Sequence, residues 1–117
     1  MENGVVSIFS GYDPVFLQIS SSVTNIDDCA FSGCSSLEKI IVDEGNNVYD
    51  SRENCNAIIE TETNTLVLGC RNSKIPSNVM VIGNQAFWGC SGLTRIEIPS
   101  GVKSIGYYAF AGCSMVP

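Results

Sequence analysis

Cysteine offers the widest choice of chemistry in this chain, because a thiolate can bind a metal, act as a nucleophile or form a disulfide. The 117 residues contain six cysteines and no histidine. Without histidine, the Ser–His–Asp and Cys–His arrangements of nucleophilic enzymes and every mixed Cys/His zinc site are excluded. No Cys-x-x-Cys spacing occurs. We therefore expect stacked, buried thiols rather than a thiolate metal site, and no cofactor.

Cys55 and Cys70 flank a predicted β-hairpin, in which two apolar runs are joined by Thr61-Glu62-Thr63-Asn64. The simplest register pairs Glu60 with Thr65, Ile59 with Leu66, Ala57 with Leu68 and Cys55 with Cys70. A Cys55–Cys70 disulfide would contribute roughly 3 kcal/mol if its geometry is allowed. The alternative, two reduced and buried thiols, is favoured.

Carboxylates could supply acid–base groups or a calcium site. They occur as Asp27-Asp28, Asp43-Glu44 and the pair Glu60 and Glu62. None has the spacing of a calcium loop, and acid–base catalysis also needs a pocket that shifts pKa values. We interpret these groups as solvated turns and predict no catalytic residue.

The elements that position these residues follow from a repeat. One pentapeptide occurs three times, as Ala30–Cys34, Ala86–Cys90 and Ala109–Cys113, each with Ala, Phe, Gly and Cys in the same order. The last two copies are 23 residues apart, and the first two are separated by 56, which leaves room for one longer unit between them. A repeat length near 23 residues predicts a stack of coils whose neighbours bury a shared core.

Each slot of the repeat has a physical role. Leu93-x-x-Ile96-x-Ile98 predicts a short strand with inward Ile side chains, which Pro99 ends. Val102 and Ile105 should also point inward. The Ala-Phe pair should fill the core, and Gly112 should let the backbones approach. We expect turns or short 3₁₀ segments at the Ala-Phe-x-Gly-Cys bends.

The run Ile-Pro-Ser-x-Val-x-x-Ile-Gly-x-x-Ala-Phe-x-Gly-Cys-Ser-x-Leu-x-x-Ile-x-Ile resembles the BspA-like (Treponema-type) leucine-rich repeat, over residues 15–116. The three repeats that contain the pentapeptide are called rows one, two and three, and they run from Ile19 to Val42, from Ile75 to Ile98 and from Ile98 to Val116. Row one departs from the family pattern at Ser20 and Asp27. The start Asn46-x-x-Tyr49-x-Ser51 resembles a long variant of the same repeat, in which a hairpin decorates one coil. The resemblance implies a curved solenoid of the kind found in bacterial cell-surface and secreted proteins, often linked to adhesion.

The predicted fold class is a right-handed leucine-rich-repeat solenoid of about four coils, mainly β with turns and short 3₁₀ segments. Residues 1–14 would form an N-terminal cap or leader, in which Val5, Val6, Ile8 and Phe9 could be a strand. Residues 15–117 would form the solenoid, with a hairpin insertion at about 46–70 that protrudes from the second coil. An uncapped last coil predicts end-to-end association or a dimer.

A partner surface is predicted on the outward positions of the strand side, Lys39, Ile41, Arg95 and Glu97. Trp88 occupies the variable position of its pentapeptide, close to Tyr107 and Tyr108, and could anchor a partner. Local packing between coils is the favoured alternative for Trp88.

Net charge and composition argue against several further classes of function. The net charge of −6, with six scattered Lys and Arg residues, argues against nucleic-acid binding. No apolar run reaches the ~18 residues of a membrane span, and the start of the chain is not a signal peptide. We expect a protein-binding or adhesion module of a surface or secreted protein, and no enzyme. The alternative is a structural spacer that presents another domain.

Overall fold

The computed structural model describes residues 5–6, 15–26, 36–93 and 95–113. Short strands joined by turns form most of this part of the chain. The strands are β1 Val5–Val6, β2 Phe16–Ile19, β3 Asn25–Ile26, β4 Lys39–Val42, β5 Tyr49–Asp50, β6 Ala57–Glu60, β7 Thr65–Gly69, β8 Val81–Ile82 and β9 Ser104–Ile105. One 3₁₀ segment covers Arg52–Asn54.

Two of the parallel strand pairs have the period of the sequence repeat. Phe16 pairs with Lys39, 23 positions further on, and Val81 pairs with Ser104 at the same interval. β1 pairs with β3 and β2 with β4, while β5-β6-β7-β8-β9 form one sheet. The repeat length therefore decides which strands become neighbours, because each turn of the chain brings equivalent slots into register.

The repeat slots form the core. The first core cluster contains Ile19, Val23, Ile26, Leu37, Ile40, Val42, Tyr49, Ile58, Leu68 and Cys70. The second core cluster contains Cys55, Ala57, Ile59, Leu66, Ile75, Val79, Ile82, Ala86, Phe87, Cys90, Leu93 and Ala109. Most members come from row one in the first cluster and from row two in the second, as the slot pattern predicts.

The predicted hairpin forms, but it does not protrude. Strands β6 and β7 are antiparallel and are joined by the turn 61–64. Ile58 packs into the first core cluster, and Ile59 packs into the second. Because successive strand side chains point to opposite faces, the hairpin lies between the two clusters and belongs to the core of the fold.

A β-bulge corrects the predicted register within this hairpin. Glu60 pairs with Thr65 and Ile59 pairs with Leu66, as predicted, but Ala57 pairs with Gly69 instead of Leu68. The shift allows the Gly69 N–H to bond the Ala86 carbonyl in the next coil at 2.9 Å. A Cβ at Gly69 would overlap the Phe87 ring, so glycine is required for this close approach.

The Asn-x-x-Tyr-x-Ser motif joins the long unit to the first row. The Asn46 amide donates to the Ser20 and Val23 carbonyls at 3.0 and 2.9 Å, and its Oδ1 accepts from two backbone N–H groups at 2.8 Å. The Tyr49 hydroxyl accepts from the Ile26 N–H at 3.1 Å.

Ser51 completes the motif, since its Oγ accepts from the Val42 N–H at 3.0 Å. All three side chains thus bond backbone groups of the preceding row. Backbone N–H and carbonyl groups that find no partner in a neighbouring strand need another hydrogen-bond partner. The side chains of this motif provide that partner for the preceding row.

The Ala-Phe-x-Gly-Cys bends are hydrogen-bonded turns in rows two and three. The N–H groups of Phe87 and Gly89 donate to the carbonyls of Ala109 and Ala111 at 2.7 and 2.8 Å. The rings of Phe87 and Phe110 stack with centroids 5.1 Å apart. Gly89 and its equivalent Gly112 have φ values of 76° and 80°, which glycine adopts at little cost. Backbone hydrogen bonds therefore connect row two to row three along this edge.

Two predicted inward residues are half exposed, Ile98 at 44% and Ile105 at 49%. Segment 95–99 is extended but is not hydrogen-bonded as a strand, so Ile98 is not held against a neighbour. Ile105 lies in β9, which pairs on one side with β8. The inward prediction is wrong for these residues, because burial in a stack needs a neighbouring coil on both sides. The pentapeptide of row one, Asp27-Asp28 and Ile8-Phe9 lie outside the described residues.

Candidate functional site

The thiols are separated by the fold rather than paired. Within the described ranges none of the cysteines Cys55, Cys70, Cys90 and Cys113 is in a disulfide. Cys55 lies in the second core cluster and Cys70 in the first. The Cys55 Sγ is 3.8 Å from the Ala57 carbonyl oxygen, and the Cys70 Sγ is 3.5 Å from that of Asn56. The predicted disulfide is therefore not formed, because the bulge removes the register that placed the two residues opposite each other.

Burial makes these thiols poor nucleophiles. It raises the pKa of Cys55, of Cys70 and of Cys113 above the usual thiol value, which keeps each sulfur protonated at neutral pH. Cys113 donates to the Phe87 carbonyl at 3.2 Å, and Cys90 donates to the Gly69 carbonyl at 3.7 Å. The repeat cysteine thus connects its turn to the backbone of the preceding unit, a role that was not predicted.

Ser73 stands in the repeat slot that isoleucine fills in rows one and two, and it is buried. Its hydroxyl accepts from the Cys70 N–H at 2.8 Å and donates to the Asn56 carbonyl. Both hydrogen bonds go to backbone groups, which explains how a polar side chain is accommodated there. Ser73 is accordingly a structural residue and has no base beside it.

The Asp50 carboxylate is engaged in closing the long unit. The Arg52 guanidinium binds both carboxylate oxygens at 2.7 Å, and the Thr61 hydroxyl donates to Oδ2 at 2.6 Å. Burial would raise the pKa of Asp50, but the bonds from Arg52 and Thr61 outweigh it and lower that pKa. Arg52 also donates to the Asn64 Oδ1 at 2.7 Å. This cluster ties the hairpin turn to the 3₁₀ segment, and both oxygens of the Asp50 carboxylate are engaged in it.

The structure divides the predicted partner surface into three places. Lys39 and Ile41 lie on β4, where Lys39 Nζ is 5.9 Å from the centre of the Phe16 ring. Arg95 and Glu97 are exposed on the extended segment 95–99. Trp88 lies in the turn 84–89 and is 41% exposed.

An open groove lies beside Arg95 and Glu97. Its volume is about 400 Å³, and it is lined by Ser73, Lys74, Ile75, Arg95, Ile96 and Glu97. The two walls are equivalent slots of consecutive repeats, so in a regular stack they would be adjacent strands. Lys74 was not predicted as a site residue; its exposed position beside the buried Ile75 is the signal that could have identified it.

A second exposed patch consists of Tyr107 and Tyr108, exposed by 58% and 64%. Their rings meet edge to face with centroids 5.7 Å apart. Trp88 is in the equivalent turn of the preceding row, and no aromatic ring pair between described residues includes it. Aromatic surface is thus available on the turn side as well as on the strand side.

Metal-binding clusters and membrane-spanning helices are both absent from the described part of the chain. It contains no group of three or more Cys, Asp or Glu side chains able to hold a metal ion. Its helical content includes nothing long and apolar enough to cross a bilayer.

Comparison with known proteins now adds to this geometry. Residues 59–116 match the family model described as BspA type leucine rich repeat region (6 copies). The chain is a BspA-type leucine-rich repeat protein. The matched segment includes both walls of the groove and the two described pentapeptide turns. No curated protein matches the chain.

Solved structures of bacterial repeat proteins are similar to this one. A leucine-rich repeat protein from Eubacterium ventriosum is 28% identical over 85% of this chain, with a TM-score of 0.73. A leucine rich cell surface protein from Faecalibacterium prausnitzii is 29% identical over 92%, also with a TM-score of 0.73. The pneumococcal vaccine antigen PcpA shares the fold at 23% identity over 83%, with a TM-score of 0.68.

These matches cover 27%, 30% and 25% of the three larger proteins. The chain therefore spans under a third of each similar structure. The repeat fold is common to all of them, and cell-surface placement is described for the F. prausnitzii protein.

Proposed function

We propose that this chain is a non-enzymatic protein-binding module of a bacterial surface or secreted repeat protein. The observation that carries the proposal is the open groove on the strand side, where Lys74, Arg95 and Glu97 face solvent beside an extended segment. The strand side of a repeat stack is an extended surface suited to binding. The cell-surface description of the F. prausnitzii relative supports the location.

The proposal includes a finer architecture. The repeats would continue as a right-handed solenoid of about four coils over residues 15–117, capped by residues 1–14. The 23-residue register of the β2-β4 and β8-β9 pairs supports this arrangement, as does the pairing of Val5–Val6 with Asn25–Ile26. Self-association through exposed coil faces such as that of Ile105 belongs to the same proposal, and a concentration-independent monomer mass by light scattering would contradict it.

A binding screen against extracellular host proteins tests the function. The wild-type chain is compared with three surface variants, Arg95→Ala, Glu97→Ala and Trp88→Ala, in surface plasmon resonance. A binding module should lose affinity for its partner with at least one of them, because interface energy is concentrated in a few Trp, Tyr and Arg side chains.

Circular dichroism of each variant controls for folding, since all three side chains are exposed and their removal should leave stability unchanged. The alternative function is a spacer that presents another domain. A chain that binds no protein in the screen, with all variants behaving alike, would favour that spacer and contradict the proposal.

A further inference from the structure

The groove between segments 73–75 and 95–97 has unpaired backbone on both walls. Within the described ranges, the peptide groups of Arg95, Ile96, Glu97 and Ile98 form no hydrogen bond. On the other wall the Lys74 N–H donates to the Cys55 carbonyl at 2.9 Å. Among the described residues, the backbone N–H and carbonyl of Ile75 form no hydrogen bond either. Both walls of the groove therefore carry unpaired backbone groups.

Unpaired strand edges bind other extended chains readily, since each offers a row of unmet donors and acceptors. The backbone N–H and carbonyl groups of consecutive rows would normally bond to each other, as those of β8 and β9 do. Here the volume of about 400 Å³ between the walls is within the range of ligand pockets. A short extended peptide is the occupant whose own backbone can bond both walls.

The side chains of the groove specify the chemistry of that peptide. Its floor is apolar, with Ile75 buried and Ile96 half buried, and its rim carries Lys74 and Arg95 against one carboxylate, Glu97. Neither Lys74 nor Arg95 forms an ion pair with another described residue. The rim is therefore a local positive site on a chain whose net charge is −6.

We infer that the groove binds an extended peptide segment that pairs with its walls as a β-strand and carries a carboxylate side chain toward Lys74 and Arg95. Apolar side chains of the segment alternate with the acidic ones and lie on Ile75 and Ile96. The inference rests on the proposed protein-binding function and names the chemistry of the partner.

The test uses the full 117-residue chain and labelled, end-blocked hexapeptides in fluorescence anisotropy at low salt. The acidic probe alternates valine with glutamate, and a matched probe alternates valine with lysine. We expect the acidic probe to bind at least about tenfold more tightly, because charge-assisted hydrogen bonds form only with the carboxylates. Methylation of alternate backbone nitrogens in the acidic probe should weaken binding by a similar factor.

Variants of the protein locate the site. Lys74→Gln and Arg95→Gln should each weaken the acidic probe by about tenfold. Lys103→Gln removes the same charge at an exposed position that does not line the groove, and it should leave affinity unchanged. Amide chemical shifts of Ile75 and of residues 95–98 should move on titration, which reports on the backbone pairing directly.

Several outcomes would overturn the inference. These are equal binding of the lysine probe, no effect of backbone methylation, or equal losses in the Lys103→Gln control. Self-association at the groove without peptide binding would also overturn it, since the occupant would then be a second copy of the chain.

Failure of this inference is distinguishable from failure of the proposed function. If a partner protein found in the screen still binds the Lys74→Gln and Arg95→Gln variants with full affinity, protein binding stands and the groove assignment is wrong. If neither a partner protein nor any peptide binds the wild-type chain, the proposed function itself fails.

Discussion

Asn46→Asp should destabilise the protein strongly, although the two side chains have the same shape. The Asn46 amide donates two hydrogen bonds, to the carbonyls of Ser20 and Val23, and its oxygen accepts two more from backbone N–H groups. Aspartate keeps both accepting bonds but loses both donating bonds. It also places a carboxylate oxygen about 3 Å from two carbonyl oxygens that are left without that partner.

The expected loss follows from these contacts. Each net hydrogen bond contributes about 1 kcal/mol, and an acceptor left unsatisfied in a partly buried site adds to the cost. Two lost bonds and the opposed oxygens together predict a decrease of about 2–3 kcal/mol in the free energy of unfolding at pH 7. A protein of this size has a total stability of roughly 6–17 kcal/mol, so the change is readily measured.

The assay is equilibrium urea unfolding, followed by the fluorescence of the single tryptophan, Trp88, and by circular dichroism. Asn47→Asp is the matched control, since it adds the same charge at the exposed neighbouring position and should change stability by less than about 0.5 kcal/mol. Equal unfolding free energies for the two variants would refute the structural role assigned to Asn46.

The pH dependence adds a second test of the same variant. The N–H groups of Val48 and Tyr49 favour the charged form of a carboxyl at position 46, but only the protonated form can donate to one of the two facing carbonyls. Because this donation also relieves the repulsion between the oxygens, we expect the pKa of this carboxyl to be higher in the folded than in the unfolded state. Its contribution is then favourable below the unfolded value, about 3.9, and is lost as the pH rises through the folded value. The deficit of Asn46→Asp relative to Asn47→Asp should shrink as the pH is lowered toward 4.

Three further predictions concern the packing, the ion pair and the thiols. Gly69→Ala should lower the free energy of unfolding by about 2–3 kcal/mol, because its Cβ would overlap the Phe87 ring. Gly45→Ala is the control, since its Cβ would lie 3.4 Å from its nearest neighbour. This control should leave the free energy of unfolding nearly unchanged in the same urea titration. Burial would raise the pKa of Asp50, but its bonds from Arg52 lower that pKa overall. The stabilisation by Asp50 should therefore be present above the unfolded pKa and be lost as the pH falls below about 3.9 through the folded value. In an acid titration, Asp50→Asn should lose less unfolding free energy than the wild type, and identical curves would contradict the assignment. All six cysteines should react with a thiol reagent in urea under non-reducing conditions, and fewer than six would mean that a disulfide exists.

Much of the fold could be predicted because each repeat carries its own burial pattern. The alternation in Leu93-x-x-Ile96-x-Ile98 and the Ala-Phe-x-Gly-Cys turns depend on contacts between adjacent repeats, which recur at a constant 23-residue interval. A periodic sequence therefore reveals its neighbours as well as its local structure. The predicted hairpin turn 61–64 follows from an equally local signal, two apolar runs around a polar tetrapeptide.

The site could not be predicted to the same extent. Lys39, Ile41, Arg95 and Glu97 were chosen as outward positions of a regular repeat, and Trp88 as the variable position of its pentapeptide. Of these residues, Arg95 and Glu97 line the groove. The groove exists because segments 73–75 and 95–97 do not pair as consecutive strands. That departure from the repeat has no sequence pattern of its own, so the groove was not predicted.

The sequence by itself determined the repeat family, the 23-residue stacking interval and the identity of the core slots, because these depend on side-chain size and hydrophobicity at recurring positions. Only the tertiary structure decided the register of the hairpin, where a bulge allows Gly69 to bond the next coil and separates Cys55 from Cys70. It also decided that the long unit is held by Asn46, Tyr49 and Ser51. Both features depend on which backbone groups lack a partner, and that is settled only when all the coils are in place.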